Sequence, residues 1–302
     1  MNHILKITAS ITLSLAMALA VGSCTKVERD DSFPVGDAPP VAGGFTNSNQ
    51  IAPTNLVGYW AFNGSLIDSV TKVSAVNQGA AFETGQKGQS YKGNSNAYAT
   101  FAPSAALQGL KSYTISFWIN SPVNTGAIGI FSLARTDDFW GSLDIYQDNG
   151  GSGDKAVFKV HMYNAAVSWG GQFTDARVSF GSWTQLIVSY NASTSIFNVY
   201  QNGSAIGVNT AGNPGNTVGP KLNGSDPSVQ PVTPYGNLSF INATKMVFGA
   251  FQFQTNPSLT TAASAQTWAT NFAGKMDEFR IYNKALTEIE AFALFQLEKQ
   301  GR

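Results

Sequence analysis

Short apolar stretches that alternate with polar residues recur along the chain after residue 54, and turn-forming residues separate them. In the clearest stretch, residues 113–120, the apolar side chains of Tyr113, Ile115, Phe117 and Ile119 occupy every second position. A period of two predicts a β-strand with one face toward a core. The same criteria predict strands at 56–62, 93–101, 128–133, 142–146, 156–163, 183–190, 196–201, 204–208, 246–251 and 276–282.

The connections between these strands indicate the fold class. Asn202-Gly203 lies between two predicted strands and is the strongest hairpin signal in the chain. Thr287 and Glu290 have the spacing of a helix capping box, which predicts one helix after the last strand. Many short strands, turns and one terminal helix indicate an all-β sandwich or jelly roll. Residues 54–302 fit the size of one such domain.

The last predicted strand carries a carboxylate on its apolar row. Strict alternation places Asp277, Phe279 and Ile281 on one face, with Glu278 and Arg280 on the other. A carboxylate that faces a core needs hydrogen bonds or a cation, because burying it bare is costly. Asp277 is therefore a candidate for a special structural role.

Residues 1–23 read as a removable leader. Lys6 precedes an apolar stretch, and small residues follow just before Cys24. This arrangement resembles a bacterial lipoprotein signal, which implies cleavage before Cys24 and a lipid on its thiol. The alternative is an ordinary secretory signal with an incidental cysteine. Cys24 is the single cysteine of the chain, so no intrachain disulfide can form.

Residues 24–53 are predicted to form a flexible tether. They combine a charged stretch with Pro and Gly and show no periodicity. Acidic residues soon after Cys24 resemble the export signal of some lipoproteins. The expected location is therefore the outer membrane, with a lipid anchor and the domain facing the cell exterior.

Charge and composition exclude some partners. The chain has 18 basic and 18 acidic residues, and removing the leader with Lys6 leaves a net charge of −1. It has no basic run or stripe, so the sequence gives no indication of nucleic-acid binding. A charged fraction of 12% with 12% aromatic residues suits an extracellular β protein.

Several motifs together resemble the laminin-G-like domains of the concanavalin A-like lectin/glucanase superfamily. They are Leu56 to Phe62, Ser116-Phe117-Trp118-Ile119, Gly181-Ser182-Trp183, Tyr200-Gln201-Asn202-Gly203 and the closing block from Gly274 to Glu290. The resemblance implies a concanavalin A-like jelly roll of two antiparallel sheets with a short C-terminal helix. It also implies that Trp60, Trp118 and Trp183 are core aromatics.

The resemblance implies non-catalytic binding of a polysaccharide or oligosaccharide, beside a polysaccharide-uptake system. Candidate contacts lie in loops, where aromatic rings and hydrogen-bonding groups occur together. They are Arg135, Asp137, Asp138, Phe139, Trp140, Trp169 and Trp268. An adhesion domain that binds protein is one alternative, and it would show an exposed apolar patch.

A catalytic alternative is a polysaccharide hydrolase or lyase. Hydrolysis needs two carboxylates across the scissile bond. The related hydrolases of this superfamily carry them on one strand as Glu-x-Asp-x-Glu, and this sequence has no such run. A lyase could use His161 and Tyr163, which share a strand face. Superfamily resemblance also implies a structural calcium ion held by Asp68 and Asp277, although residues 68–72 depart from the usual loop. The alternative is an Asp277 satisfied by backbone N–H groups or an arginine.

Overall fold

The computed structural model describes residues 38–124, 126–148, 155–165, 167–208, 214–219 and 234–302, without the side chains of 167–177. The chain divides into two units after Pro39, and the strands of both sheets belong to the second unit, Pro40–Arg302. Among the described residues, no helix has the length and apolarity needed to cross a membrane.

Two β-sheets pack face to face, as predicted. In the described residues sheet I has nine strands, in the order β13-β12-β11-β6-β17-β4-β3, with β1 beside β17 and β14 beside β12. Their bounds are β1 Leu56–Trp60, β3 Ala81–Thr84, β4 Gln89–Lys92, β6 Tyr113–Asn120, β11 Thr184–Asn191, β12 Ile196–Gln201, β13 Ser204–Ile206, β14 Asn216–Thr217 and β17 Lys275–Tyr282.

Sheet II has eight strands in the described residues, in the order β10-β9-β8-β7-β15-β5-β2, with β16 beside β7. Their bounds are β2 Val76–Gln78, β5 Tyr98–Phe101, β7 Ala127–Ala134, β8 Leu143–Asp148, β9 Lys155–Asn164, β10 Val167–Ser179, β15 Lys245–Phe248 and β16 Ala269–Asn271. The strand β16 pairs with β7 in parallel, whereas the neighbours along the main order of sheet II pair antiparallel.

The main core lies between the sheets. The predicted apolar row of β6, Tyr113, Ile115, Phe117 and Ile119, is confirmed, and it is buried against residues of sheet II such as Phe131. Trp60 is 1% exposed and contacts the rings of Phe101, Phe248 and Phe279 edge-on.

A β-bulge in β17 corrects the predicted strand faces. Glu278 has a left-handed φ of 48°, and the register with β6 shifts between Asp277 and Arg280. An extra residue reverses the alternation beyond it. The core row is therefore Met276, Phe279 and Ile281, and the prediction that Asp277 shares their face is wrong.

The outer face of sheet I is covered by the C-terminal helix. A four-residue helix, α1, spans Ala105–Gln108, and the long helix α2 spans Glu288–Lys299. The predicted capping box is confirmed, since Glu290 N–H donates to Thr287 Oγ1 at 3.2 Å and Thr287 N–H donates to Glu290 Oε2 at 2.8 Å. Leu294 and Leu297 of α2 pack against Ile187, Tyr200 and Tyr282 of the sheet.

Residues 40–53 belong to this folded unit, where the sequence predicted a tether up to residue 53. Short 3₁₀ turns occur at Ala42–Gly44, Ser48–Gln50 and Pro53–Asn55. Ile51 is 1% exposed and packs in the cluster beneath α2. The Pro and Gly residues here shape turns that dock on the domain.

A buried charged cluster joins β17, α2 and residues 48–49. Arg280 Nε donates to Glu298 Oε1 at 2.8 Å and Nη2 donates to Glu278 Oε2 at 2.9 Å, with all three side chains 0% exposed. Arg280 also donates to Ser48 and Asn49. Trp118, predicted as a core aromatic and 3% exposed, donates its indole N–H to Glu298. Trp183, the third predicted core tryptophan, is half-buried.

Candidate functional site

A cluster of aromatic rings covers part of the outer face of sheet II. We call it the aromatic surface, and its members are Phe139, Trp140, Tyr146, Phe251, Phe253 and Trp268. Trp140 stacks on Tyr146, with ring centroids 5.6 Å apart and an interplanar angle of 24°. Trp268 lies 6.4 Å from Trp140 and 5.5 Å from Phe253. Two sequence candidates far apart along the chain, Trp140 and Trp268, are therefore neighbours.

Three separate segments supply these rings. Phe139 and Trp140 belong to the loop between β7 and β8, and Tyr146 lies on β8. Phe251 and Phe253 follow β15, and Trp268 directly precedes β16. The aromatic side chains of the segment between β15 and β16 thus pack over the sheet, together with those of the loop between β7 and β8.

Gln252 fastens the two loops together. Its side-chain N–H groups donate to the carbonyls of Asp138 at 2.8 Å and Phe139 at 3.0 Å, and its Oε1 accepts from the backbone N–H of Arg135 at 2.7 Å. The residue is 0% exposed. A buried amide needs such partners, and here they fix the loop between β7 and β8 to the segment after β15.

The rings differ in how much of their surface reaches solvent. Phe251 and Phe253 are 0% exposed, whereas Trp268 is 44% exposed. Trp140 is half-buried, with His161 and Phe251 also within 6 Å of its ring centroid. Trp140 therefore presents only part of its ring to solvent, and Trp268 offers the more open ring face.

Arg135 and the two acids of the loop form one polar group beside the rings. Arg135 Nε donates to Asp137 Oδ1 at 2.9 Å, and its guanidinium lies 4.7 Å from the ring centroid of Tyr163. The Tyr163 hydroxyl donates to Asp138 Oδ1 at 3.0 Å. The bond with Asp137 raises the pKa of Arg135, and the same bond lowers the pKa of Asp137.

The members of this polar group differ in how much of each side chain reaches solvent. Arg135 is 8% exposed, so most of its guanidinium is committed to the protein. The Asp137 side chain is 46% exposed, and it is the acid of the loop that a hydroxyl-bearing ligand can reach most easily.

Trp169 is the remaining candidate of the binding set. Its backbone lies in β10, opposite Met162 of β9, rather than in a flexible segment. Its side chain lies outside the described residues, so its place relative to the aromatic surface stays a prediction.

The carboxylate of Asp68, a predicted calcium ligand, is already occupied by hydrogen-bond donors. It is 2% exposed, and its carboxylate accepts hydrogen bonds from the N–H groups of Tyr59, Val70 and Thr71 and from the Thr71 hydroxyl at 2.6 Å. A cation would have to displace these donors, because it binds the same lone pairs.

Asp277 is also satisfied by backbone donors. Its oxygens accept from Lys87 N–H at 2.9 Å and from Glu278 N–H at 2.8 Å. Burial raises the pKa of Asp277 to about 8, although these hydrogen bonds act in the opposite direction. In the described residues, no three His, Cys, Asp or Glu side chains lie together in a way that could hold a metal.

Calcium therefore stays a prediction, and chelation tests it. If Asp277 is a ligand, a chelator should lower the melting temperature of the wild type and have no effect on Asp277→Asn. Thermal unfolding of both proteins, with EDTA and with added Ca²⁺, gives the measurement. If the wild type had the same melting temperature in both conditions, the calcium prediction would be wrong.

The residues of the catalytic alternative also lie at this surface. The rings of His161 and Tyr163 are 4.9 Å apart, and His161 Nδ1 lies 3.4 Å from Asp144 Oδ2. His161 is 5% exposed beneath Trp140, and the Tyr163 hydroxyl is bonded to Asp138. The His161 ring is therefore nearly closed to a substrate in this structure, whereas Tyr163 is half-buried.

Sequence reasoning missed Tyr146, Phe253, Gln252 and Asp144. Leu143 and Ile145 of β8 face the core between the sheets, so strand alternation could have placed Tyr146 on the outer face. Gln252 carries no local signal, because its bonds reach residues more than a hundred positions away.

Comparison with known proteins supports the fold. Residues 92–235 match a laminin-G-type family model described as Concanavalin A-like lectin/glucanases superfamily, so a domain of this superfamily is supported there. The match includes the loop with Trp140 and ends before Trp268. A comparison with curated protein sequences finds no significant match.

Solved structures with the same fold include carbohydrate-binding domains. Domain 4 of AbnA, a GH43 extracellular arabinanase from Geobacillus stearothermophilus, in complex with arabinotriose, aligns over 80% of this chain and 98% of its own, with 17% identity and a TM-score of 0.51. The binding domain of Paraclostridial Mosquitocidal Protein 1 aligns over 80% of this chain and 52% of its own, with 18% identity and a TM-score of 0.53.

A structure of botulinum neurotoxin type C aligns over 81% of this chain and 51% of its own. Cell entry of that toxin is dependent upon interaction with two ganglioside molecules. The identity is 13% and the TM-score is 0.51. The chain thus spans about half of each of these two toxin structures. At such identities, all three likenesses show a shared fold.

Proposed function

We propose that this protein is a lipid-anchored, non-catalytic glycan-binding protein of the cell surface, and that the aromatic surface is its binding site. The observation that carries the proposal is an open Trp268 ring, 44% exposed, beside the half-buried Trp140, whose own loop also carries the exposed carboxylate of Asp137. Sugar rings present apolar faces and hydroxyl edges, which such a mixture of groups can bind.

The neighbouring folds support a glycan ligand by analogy. The arabinanase domain was solved in complex with arabinotriose, and cell entry of the neurotoxin depends upon interaction with two ganglioside molecules. Because fold alone does not determine function, the proposal depends on the aromatic surface. A role beside a polysaccharide-uptake system is part of the proposal, by analogy with related lectin-like lipoproteins.

Trp268→Ala tests the site directly. We expect about tenfold weaker binding, because loss of a stacking ring at a binding hot spot costs on the order of 1.4 kcal/mol. The free energy of unfolding should fall by about 1 kcal/mol or less, since the ring is 44% exposed. The measurement is affinity electrophoresis in arabinan, xylan, galactan, mannan, laminarin and polygalacturonate, together with urea denaturation.

Phe292→Ala is the matched control. Phe292 is 38% exposed on α2, which covers the other sheet, so its loss should leave binding unchanged. If none of the polysaccharides slowed the migration of the wild-type protein, the glycan-binding proposal would be wrong. Released oligosaccharides in the same panel would replace it with the hydrolase or lyase alternative.

The anchor needs a separate test, because residues 1–37 lie outside the described residues. Cys24→Ser should leave the protein uncleaved or unanchored, since a serine cannot carry the thioether-linked lipid. Membrane fractionation and the mass of the mature N-terminus check this expectation. A Cys24→Ser protein that still partitions with the outer membrane as the processed form would contradict the lipoprotein interpretation.

One observation favours protein binding as a second candidate function. Ile67, Val70, Val73 and Val76 are 46%, 41%, 44% and 69% exposed within one short stretch. Exposed apolar patches mark protein-binding surfaces. A Val73→Ser, Val76→Ser variant that loses adhesion but still binds polysaccharide would assign the two functions to separate surfaces.

A further inference from the structure

Asp144 is a buried carboxylate directly beneath the aromatic surface. It lies on β8 and is 1% exposed. Its Oδ1 accepts from the Ser132 hydroxyl at 2.6 Å, and its Oδ2 accepts from Gly141 N–H at 2.8 Å. The same Oδ2 lies 3.4 Å from His161 Nδ1. A buried carboxylate needs such partners. Two of these three neighbours, Gly141 and His161, lie next to Trp140 and form two routes by which Asp144 can affect that ring.

The first route runs through the backbone. Gly141 follows Trp140 in sequence, so its hydrogen bond to Asp144 fixes the peptide next to that ring. The contact is close, because a Cβ on Gly141 would lie 2.6 Å from Asp144 Oδ1 and 2.9 Å from the Leu133 carbonyl. Only glycine fits without a shift of the loop or the carboxylate.

The second route runs through the imidazole. His161 lies beneath Trp140, with ring centroids 5.2 Å apart and an interplanar angle of 33°. It is 5% exposed, so its ring has little room to turn. The carboxylate of Asp144 lies 3.4 Å from Nδ1, so a change in its position would change the surroundings of the imidazole.

We propose that Asp144 is a positioning residue of the aromatic surface, which sets the orientation of the Trp140 ring through Gly141 and His161 without touching a ligand itself. Its importance for binding rests on the proposed function. Its effect on Trp140 does not, so the two can fail separately.

The test uses protein labelled with 5-fluorotryptophan and observed by fluorine NMR. The chain has 6 tryptophans, and Trp140→Phe identifies the resonance of Trp140. Asp144→Leu removes both routes, so the Trp140 resonance should move or split. The Trp60 and Trp118 resonances should stay in place, because these rings report on the core and on the face beneath α2.

Asp144→Asn is the conservative rescue. Its amide oxygen can accept from Gly141 N–H and its amide N–H can donate to the Ser132 hydroxyl, so the Trp140 resonance should remain single and near its wild-type position. Ser132→Ala removes a partner of the same carboxylate that lies on β7 and not in the loop with Trp140. It should lower stability without moving the Trp140 resonance.

Gly141→Ala gives a second measurement if Asp144→Leu does not fold. The new Cβ must displace the carboxylate or the loop, so the Trp140 resonance should move in this variant too. A Trp140 resonance unchanged in Asp144→Leu, or in Gly141→Ala, would overturn the proposal. Equal movement in Ser132→Ala, or movement of all tryptophan resonances together, would also overturn it by showing a general structural role.

Discussion

Replacing Arg280 by methionine is expected to lower the free energy of unfolding by about 3–5 kcal/mol. The guanidinium binds Glu278 and Glu298 at 2.9 Å and 2.8 Å, and all three side chains are 0% exposed. Methionine fills part of the space but removes the cation that the two buried carboxylates share: Glu298 loses its ion-pair partner, and Glu278 keeps only the more distant Lys87 at 4.0 Å. Urea denaturation followed by tryptophan fluorescence measures the loss.

Lys275→Met on the same strand is the matched control. Lys275 pairs with Glu83 at 3.3 Å, but the side chains are 28% and 49% exposed. Exposed pairs contribute about 0–1 kcal/mol, so this variant should lose little stability. Equal losses in the two variants would contradict the assignment of the buried cluster.

The pH dependence of the Arg280→Met variant provides a further check. Burial raises the pKa of Glu298 from an ordinary value of 4.5 to about 7. The folded state therefore binds more protons than the unfolded state between these values, and stability falls as the pH rises through this window. Without Arg280 the carboxylate is still harder to ionise, so the loss measured at pH 8 should exceed the loss measured at pH 5.

Trp140→Ala is expected to weaken both the fold and glycan binding. The ring is half-buried against Tyr146, His161, Phe251 and Phe253. Full burial of a tryptophan would cost about 3–5 kcal/mol on truncation, so we expect about 2–3 kcal/mol here. For a domain of this size, that lowers the melting temperature by about 5–10 °C. Binding should fall by more than tenfold, because Trp140 also supports Trp268.

Trp140→Phe separates the two effects. Phenylalanine keeps a ring on Tyr146 and should restore most of the stability, while it offers less surface to a sugar. Binding is measured below the melting transition of each variant by affinity electrophoresis in the same six polysaccharides. If Trp140→Ala bound every polysaccharide as the wild type does, the aromatic surface would not be the site.

The sequence predicted the strands that are long and clearly alternating. Residues 113–120 and 196–201 have the predicted bounds, and the Asn202-Gly203 turn has φ values of 50° and 78°, as a tight hairpin requires. The short polar strands β2, β3 and β4 were missed, because three or four residues give too little periodicity. The strand β10 was missed because its glycines resemble a loop.

The site was only partly predictable, for a related reason. The residues 135–140 stand together in sequence, so their shared chemistry was visible. The partners that decide how those residues act come from other parts of the chain: Asp144 and Tyr146 lie on β8, and Gln252 lies in a 3₁₀ turn after β15. The bulge at Glu278 had no signal either, since the sequence shows no glycine there, and it reversed the expected face of Asp277.

Different segments of the chain cover the outer faces of the two sheets. Residues 41–55 and helix α2 pack on sheet I, whereas the aromatic surface lies on sheet II. A biosensor linker attached just ahead of Pro40 would therefore hold the domain by its helix side and leave Trp268 facing the flowing analyte. A linker attached within residues 258–266 would bury the ring against the chip.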